Sequence, residues 1–136
     1  MEDVVTNLPG NPVRNPDHPA HMMWITRPER RFVASLNGET LAESDNAVVV
    51  TELGRSMYAA AIYFPAQDVA ATLVEQEDTT ICPVKGKSRW LTLETSDGEP
   101  KPKFAWSYFE SVPGAEELTS RIAFSRNEVT ITDAPL

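Results

Sequence analysis

The sequence predicts a mainly β fold: a compact antiparallel single domain of the open-barrel or sandwich kind, with one short helix and an extended proline-rich N-terminal arm. Three observations carry that reading. Short alternating or β-branched runs, such as Phe32-Val33-Ala34-Ser35-Leu36 and Val48-Val49-Val50, recur along most of the chain. Turn chemistry separates them, and Asn37-Gly38 is the clearest instance because a type I′ turn needs positive φ at both central residues. Helical periodicity is confined to one or two short windows.

Residues 1–29 form the arm and residues 30–136 the β-rich domain. The arm holds five of the eleven prolines (Pro9, Pro12, Pro16, Pro19 and Pro28), each of which fixes its own φ and pushes its predecessor towards extended backbone. It is expected to be irregular, without a helix, and with little order before about residue 15. Met22-Met23-Trp24-Ile25 is too apolar for a free tail and is expected to pack as a strand or strap on the body or on a second subunit.

Arg31–Leu36 makes a strand with Phe32, Ala34 and Leu36 on one face, and Glu39–Glu43 returns antiparallel after the turn. Ala47–Glu52 and Ala59–Phe64 supply the third and fourth strands. Pro65 opens a predicted short helix to Leu73, with Asp68 suited to its positive N-terminal end and Val69 and Leu73 as its apolar stripe. Lys87–Glu94 and Lys103–Tyr108 are further strands, joined by a loop through Asp97-Gly98. Val112–Thr119 reads as a loop with one helical turn. Ile122–Phe124 and Val129–Thr132 read as a closing hairpin about Arg126-Asn127. The sum is about seven to nine strands, with the helix as a lid.

Composition narrows the classes of partner. A chain of 136 residues with 41% hydrophobic content has one ordinary domain's worth of core. A net charge of −8 repels phosphate backbones, so nucleic acid is not an expected partner. No apolar run approaches the roughly 20 residues that cross a bilayer, so no membrane partner is expected either. Met1-Glu2-Asp3 lacks the apolar core of a secretory signal, and the one cysteine has no partner within the chain. Both point to a reducing, cytoplasmic setting.

One segment concentrates reactive side chains: Thr79-Thr80-Ile81-Cys82-Pro83-Val84-Lys85-Gly86, with the only cysteine three residues before a lysine. Taken with Asn37-Gly38-Glu39, Ala42-Glu43-Ser44, Tyr63-Phe64-Pro65, Asp68-Val69, Ala105-Trp106-Ser107-Tyr108 and Ile122-Ala123-Phe124, the chain from about residue 17 onward resembles the small bacterial domain of unknown function family 427. That family is sometimes labelled nucleotidyltransferase-like. His18-Pro19 ahead of the first strand fits the same pattern, whereas Arg89-Trp90 stands where small and tyrosine residues are commoner. The resemblance implies a compact β-tent fold and brings no agreed substrate or reaction.

The candidate chemistry follows from residue types. Cys82 is a possible nucleophile, since a cation such as Lys85 favours the thiolate, although a free cysteine is most often a packed core residue. Lys85, Lys87 and Arg89 alternate, so on one strand face they would make an anion site; the plain alternative is a solvated face paired with Glu75, Glu77 or Asp78. Glu75, just after the predicted helix, is a candidate acid or base. Tyr63, Trp106 and Tyr108 carry rings with polar handles suited to a pocket wall or to core. The predicted site is therefore a pocket of Tyr63, Glu75, Thr80, Cys82, Lys85, Trp106 and Tyr108, with Arg89 as a further anion contact.

No cofactor is expected. Gly86-Lys87-Ser88 has Ile81 where a P-loop needs its first glycine, and strand follows where that loop needs a helix. The nucleotidyltransferase label would require closely spaced aspartates for Mg²⁺, which are missing here. No metal site is expected: one cysteine cannot build a thiolate cage, and His18 and His21 lie beside Asp17 in the arm. Three functional readings follow. One is a module binding a small anionic or nucleotide-like ligand through Lys85 and Arg89. Another is an enzyme using Cys82 or Glu75 with Lys85. The last is an interaction protein, monomer or homodimer, that pairs through the Met22–Trp24 strap.

Overall fold

The computed structural model describes residues 12–96 and 98–136. The arm upstream of residue 12, and Asp97 in its loop, lie outside the described residues. Among those described, the strands in chain order are β1 (Val13–Asn15), β2 (His18–Thr26), β3 (Arg30–Leu36), β4 (Glu39–Ser44), β5 (Val48–Leu53), β6 (Ala61–Tyr63), β7 (Leu73–Cys82), β8 (Gly86–Leu93), β9 (Lys101–Ser111), β10 (Ile122–Phe124) and β11 (Thr130–Pro135). They form three antiparallel sheets with orders β1-β2-β5-β6, β11-β3-β4 and β10-β9-β8-β7, and no sheet closes into a barrel. Among the described residues, eleven strands exceed the seven to nine expected, because the segment following the predicted helix and those preceding the first predicted strand are themselves extended.

Local turn chemistry sets the β3–β4 hairpin. Asn37 and Gly38 both have positive φ, 51° and 83°, and Leu36 pairs with Glu39 across them. In β5 the alternation points Val48, Val50 and Glu52 inward, where all three are buried. β2 is an inner strand between β1 and β5, with Met23 and Trp24 buried within the chain itself. Pro19 is tolerated there because pairing with β5 begins only at Met22. The apolar patch offered by the sequence as a dimer surface is thus largely core.

The sheets join through backbone. Phe64 and Ile122 exchange two backbone hydrogen bonds at 2.8 Å, so β6 and β10 carry the first sheet into the third. One apolar cluster, around Phe32, Leu41, Phe64, Leu91, Phe104 and Phe124, holds the β3–β4 sheet against this curve. A second, around Met23, Val50, Tyr63, Val84, Tyr108 and Leu118, fills the space between the first and third sheets. Among the described residues no helix is long and apolar enough to cross a membrane.

Two expectations are corrected. Pro65–Leu73 is not a helix: only a 3₁₀ turn forms, at Ala66–Asp68. A run of nine residues gains little from helix formation alone, and here the backbone has better partners. The amides of Ala70 and Ala71 both donate to the Leu41 carbonyl, Val69 bridges to Ala42, and Leu73 already starts β7. Asp68 accepts from the Ser44 hydroxyl at 2.6 Å instead of capping a helix. The closing hairpin is also absent, since β10 pairs with β9 and β11 with β3 in a different sheet. The single turn at Glu116–Leu118 forms where expected.

Gly86 opens β8 at φ 125°, and a Cβ there would lie 2.0 Å from the Glu110 carbonyl oxygen and 2.8 Å from Ser111 Cα. Both neighbours are backbone of β9 and cannot swing aside. Gly86→Ala is expected to destabilise the fold by about 3 kcal/mol, read from urea unfolding. A loss below about 1 kcal/mol would mean that β8 and β9 do not approach this closely.

Candidate functional site

The site is built on an inward-facing charge. Glu52 occupies the third inward position of β5, where Val48 and Val50 precede it, and only 9% of its surface is exposed. A carboxylate so placed loses hydration and needs compensating partners. Two converge on it. Lys85 Nζ donates to Oε1, and His21 Nε2 lies 2.5 Å from Oε2.

The strands deliver both partners. Met23 of β2 pairs directly with Glu52, and His21 shares Met23's face two residues away, so it meets Glu52 diagonally across the ladder. Lys85 arrives from the turn between β7 and β8. That turn is docked by Val84, fully buried among Met23, Val50, Tyr63 and Tyr108. Asn15 Nδ2 also donates to the Pro83 carbonyl at 2.9 Å, and Val112 N to the Lys85 carbonyl at 3.0 Å. A carboxylate only accepts, so in this hydrogen bond Nε2 of His21 is the donor. Tyr58, from the loop after β5, packs edge-on to the imidazole at 6.5 Å between centroids.

Cys82 ends β7, half-buried beside this centre. Its Sγ, a ring nitrogen of His21 and a carboxylate oxygen of Glu52 all lie within 4.8 Å of one another. An aromatic wall completes the surroundings. Trp106 Nε1 donates to Tyr63 Oη at 3.0 Å, Tyr63 and Tyr108 lie 6.4 Å apart, and Lys85 Nζ sits 5.9 Å from the Tyr108 ring. Trp90 extends the wall by packing edge-on against Trp106.

Burial and charge set the protonation states. Burial pulls the Lys85 pKa down, but Tyr63, the Glu52 hydrogen bond and Cys82 pull it up, and the outcome is above its ordinary value. Burial raises Tyr63, opposed by the Lys85 charge, and it raises Tyr108 far above the usual phenol range. Lys85 is accordingly an ammonium and both tyrosines are neutral phenols at any physiological pH.

Five of the residues singled out in the sequence come together here: Cys82, Lys85, Tyr63, Trp106 and Tyr108. Three do not. Thr80 is exposed and shares a hydrogen bond of 2.7 Å with the Ser88 hydroxyl. Arg89 pairs across β8 and β9 with Ser107, whereas its neighbour Trp90 pairs with Trp106, so strand alternation sends Arg89 to the opposite face from the aromatic wall. It stacks 4.4 Å from the centre of Phe109 and lies 3.9 Å from exposed Glu75, in a cleft of about 280 Å³. The three alternating cations make no common face: Lys85 belongs to the turn, Lys87 lies 3.7 Å from Glu110, and Arg89 faces Glu75.

His21 and Glu52 were not foreseen. The readable sign of Glu52 was its phase, a carboxylate continuing the inward series of an apolar strand. His21 carried none, because only pairing of β2 with β5 brings it there.

Fold and site together define a small antiparallel β protein with a largely buried lysine–carboxylate–imidazole cluster beside one thiol. The family model described as Domain of unknown function (DUF427) matches residues 24–134, and the chain belongs to that family. No curated protein matches it.

Because Lys85, Tyr63 and Tyr108 all have native pKa values above the ordinary 10.5 and 10.0, the unfolded state releases these protons first as pH rises. Their contribution is whole below the unfolded pKa and is lost upward through the folded one. Urea unfolding is therefore expected to give a flat stability from about pH 7.5 to about pH 9.5 and a fall above about pH 10. A stability that rises with pH above 10 would contradict the assignment.

Proposed function

We propose that this chain is an enzyme acting on a small ligand, with Cys82 as nucleophile, His21 as its base and Glu52 as the group that orients the imidazole. One observation carries the proposal: the lone thiol lies within 4.8 Å of a ring nitrogen of His21, a histidine whose Nε2 is tied to a buried carboxylate. Nucleophile, base and orienter are the minimal parts of covalent catalysis. Lys85 anchors Glu52 from the other side and fixes which oxygen His21 receives.

The chemistry supported by these parts is acyl transfer. His21 takes the thiol proton as Sγ attacks an acyl carbon, and the leaving group departs with that proton. Water then cleaves the thioester, returning the thiol and releasing the acid. Glu75, the alternative acid or base, lies across the third sheet beside Arg89 and has no part in this arrangement. A module that only binds anions is less well supported, since Lys85 is already neutralised by Glu52 and Arg89 lies on the other face.

Iodoacetamide labelling near neutral pH tests this. The folded wild type is expected to label at Cys82, and His21→Asn to slow labelling by on the order of 10²-fold while leaving the melting temperature within a few degrees. A native thiol that does not label, or equal rates in both proteins, would overturn the catalytic reading.

A further inference from the structure

The same three side chains are also a nitrogen, an oxygen and a sulfur donor contributed by three different strands, β2, β5 and β7. We propose that His21, Glu52 and Cys82 form a reversible site for a borderline-soft divalent cation, of which Zn²⁺ is the best fit, and that occupancy blocks the thiol. The blocking step rests on the catalytic reading above; the binding step does not.

The geometry is near what the ion needs. Zn²⁺ holds sulfur at about 2.3 Å and imidazole nitrogen or carboxylate oxygen at about 2.0–2.2 Å, which puts tetrahedral donors roughly 3.4 Å apart. The three donors lie within 4.8 Å of one another, so rotations drawing them in by about 1 Å would close the site. Their backbones are already fixed by the ladders β2–β5 and β7–β8. The donor set of one thiolate, one imidazole and one carboxylate suits Zn²⁺ better than Mg²⁺ or Ca²⁺, which prefer oxygen alone.

The surroundings are those of a ligand set with an outer support. Lys85 holds Oε1 of Glu52 and leaves Oε2 free to turn from His21 to the metal. On binding, the thiol loses its proton to solvent and forms the S–Zn bond. The imidazole stays neutral and binds through whichever nitrogen lacks hydrogen, the remaining ring proton moving between nitrogens without net loss. With Zn²⁺, thiolate, carboxylate and the Lys85 ammonium, the local charge sums to about +1, leaving a fourth position for water or an anion. The neighbouring ammonium repels the ion, which makes the site exchangeable instead of a permanent structural cage. A thiolate bound to zinc shares one lone pair and much of its negative charge with the ion, so Cys82 attacks an electrophile more slowly while the ion is held.

The test uses untagged full-length protein, stripped of metal, titrated with Zn²⁺ against a chromophoric chelator and with Co²⁺ for its thiolate charge-transfer absorption. Expected are one ion per chain, a cobalt band that vanishes in Cys82→Ser, and at least ~10-fold weaker binding in His21→Asn, with exposed His18→Asn unchanged. Saturating Zn²⁺ is expected to slow Cys82 alkylation at least ~10-fold. Binding that persists unchanged in both Cys82→Ser and His21→Asn, or no stoichiometric binding, would overturn the site. Thermal melts identify any variant that fails to fold; Cys82→Ser, differing by one atom, is then the deciding protein. A thiol that labels slowly in metal-free protein, together with stoichiometric Zn²⁺ dependent on Cys82 and His21, would refute the catalytic reading and uphold the metal site. A reactive thiol with no metal binding would do the reverse.

Discussion

The ion pair between Glu52 and Lys85 is the constraint on which the rest of this molecule turns. Taking both charges out of water costs several kcal/mol per ion, and only close geometry with further hydrogen bonds offsets it. Everything around the pair supplies that geometry. β5 aims Glu52 inward, Val84 drives the β7–β8 turn into the second core cluster, and Asn15 and Val112 fasten the turn's backbone. His21 takes the carboxylate's second oxygen, so no lone pair is wasted on an empty side. A stability argument alone would favour apolar residues at both positions. Their presence as charges, with a thiol in reach, sets this place apart from the otherwise apolar seam around it.

Much of the fold was readable because its determinants are local. Asn37-Gly38 specifies its hairpin through φ at two residues, and the strands at Arg31–Leu36 and Ala47–Glu52 announce themselves by phase. What failed was choice of partner. Pro65–Leu73 carries acceptable helix residues, yet Leu41 and Ala42 of β4 capture its amides. Ile122–Phe124 and Thr130–Pro135 are both strands, as their composition indicates, but they pair with β9 and β3 and not with each other. Short-range pattern finds most of the strands; it does not tell which of ten other strands will lie alongside, nor that a strand will capture the amides of a short helix-like run.

The site divides along the same line. Cys82 and Lys85 stand out because they are three residues apart in one turn, and Trp106 and Tyr108 because they share a strand face. A face shared by Lys85 and Arg89 required a strand beginning at Lys85; β8 begins at Gly86, Arg89 faces Glu75, and Trp90 points to the aromatic wall. His21 and Glu52 are separated by 31 residues and meet only through the β2–β5 ladder. Their contribution is long-range in sequence and short-range in space, which is the kind of information that composition and spacing do not hold.

A double-mutant cycle across Glu52 and Lys85 tests the central claim most directly. Glu52→Gln and Lys85→Met would be made singly and together, and their unfolding free energies measured at neutral pH. Each single change leaves a buried charge without its partner and is predicted to cost about 3–5 kcal/mol, while the double change removes both charges and costs less than the sum by at least ~2 kcal/mol. Additive costs would contradict the account, for they would mean that the two charges do not depend on each other and that the turn is held to β5 by its apolar residues alone.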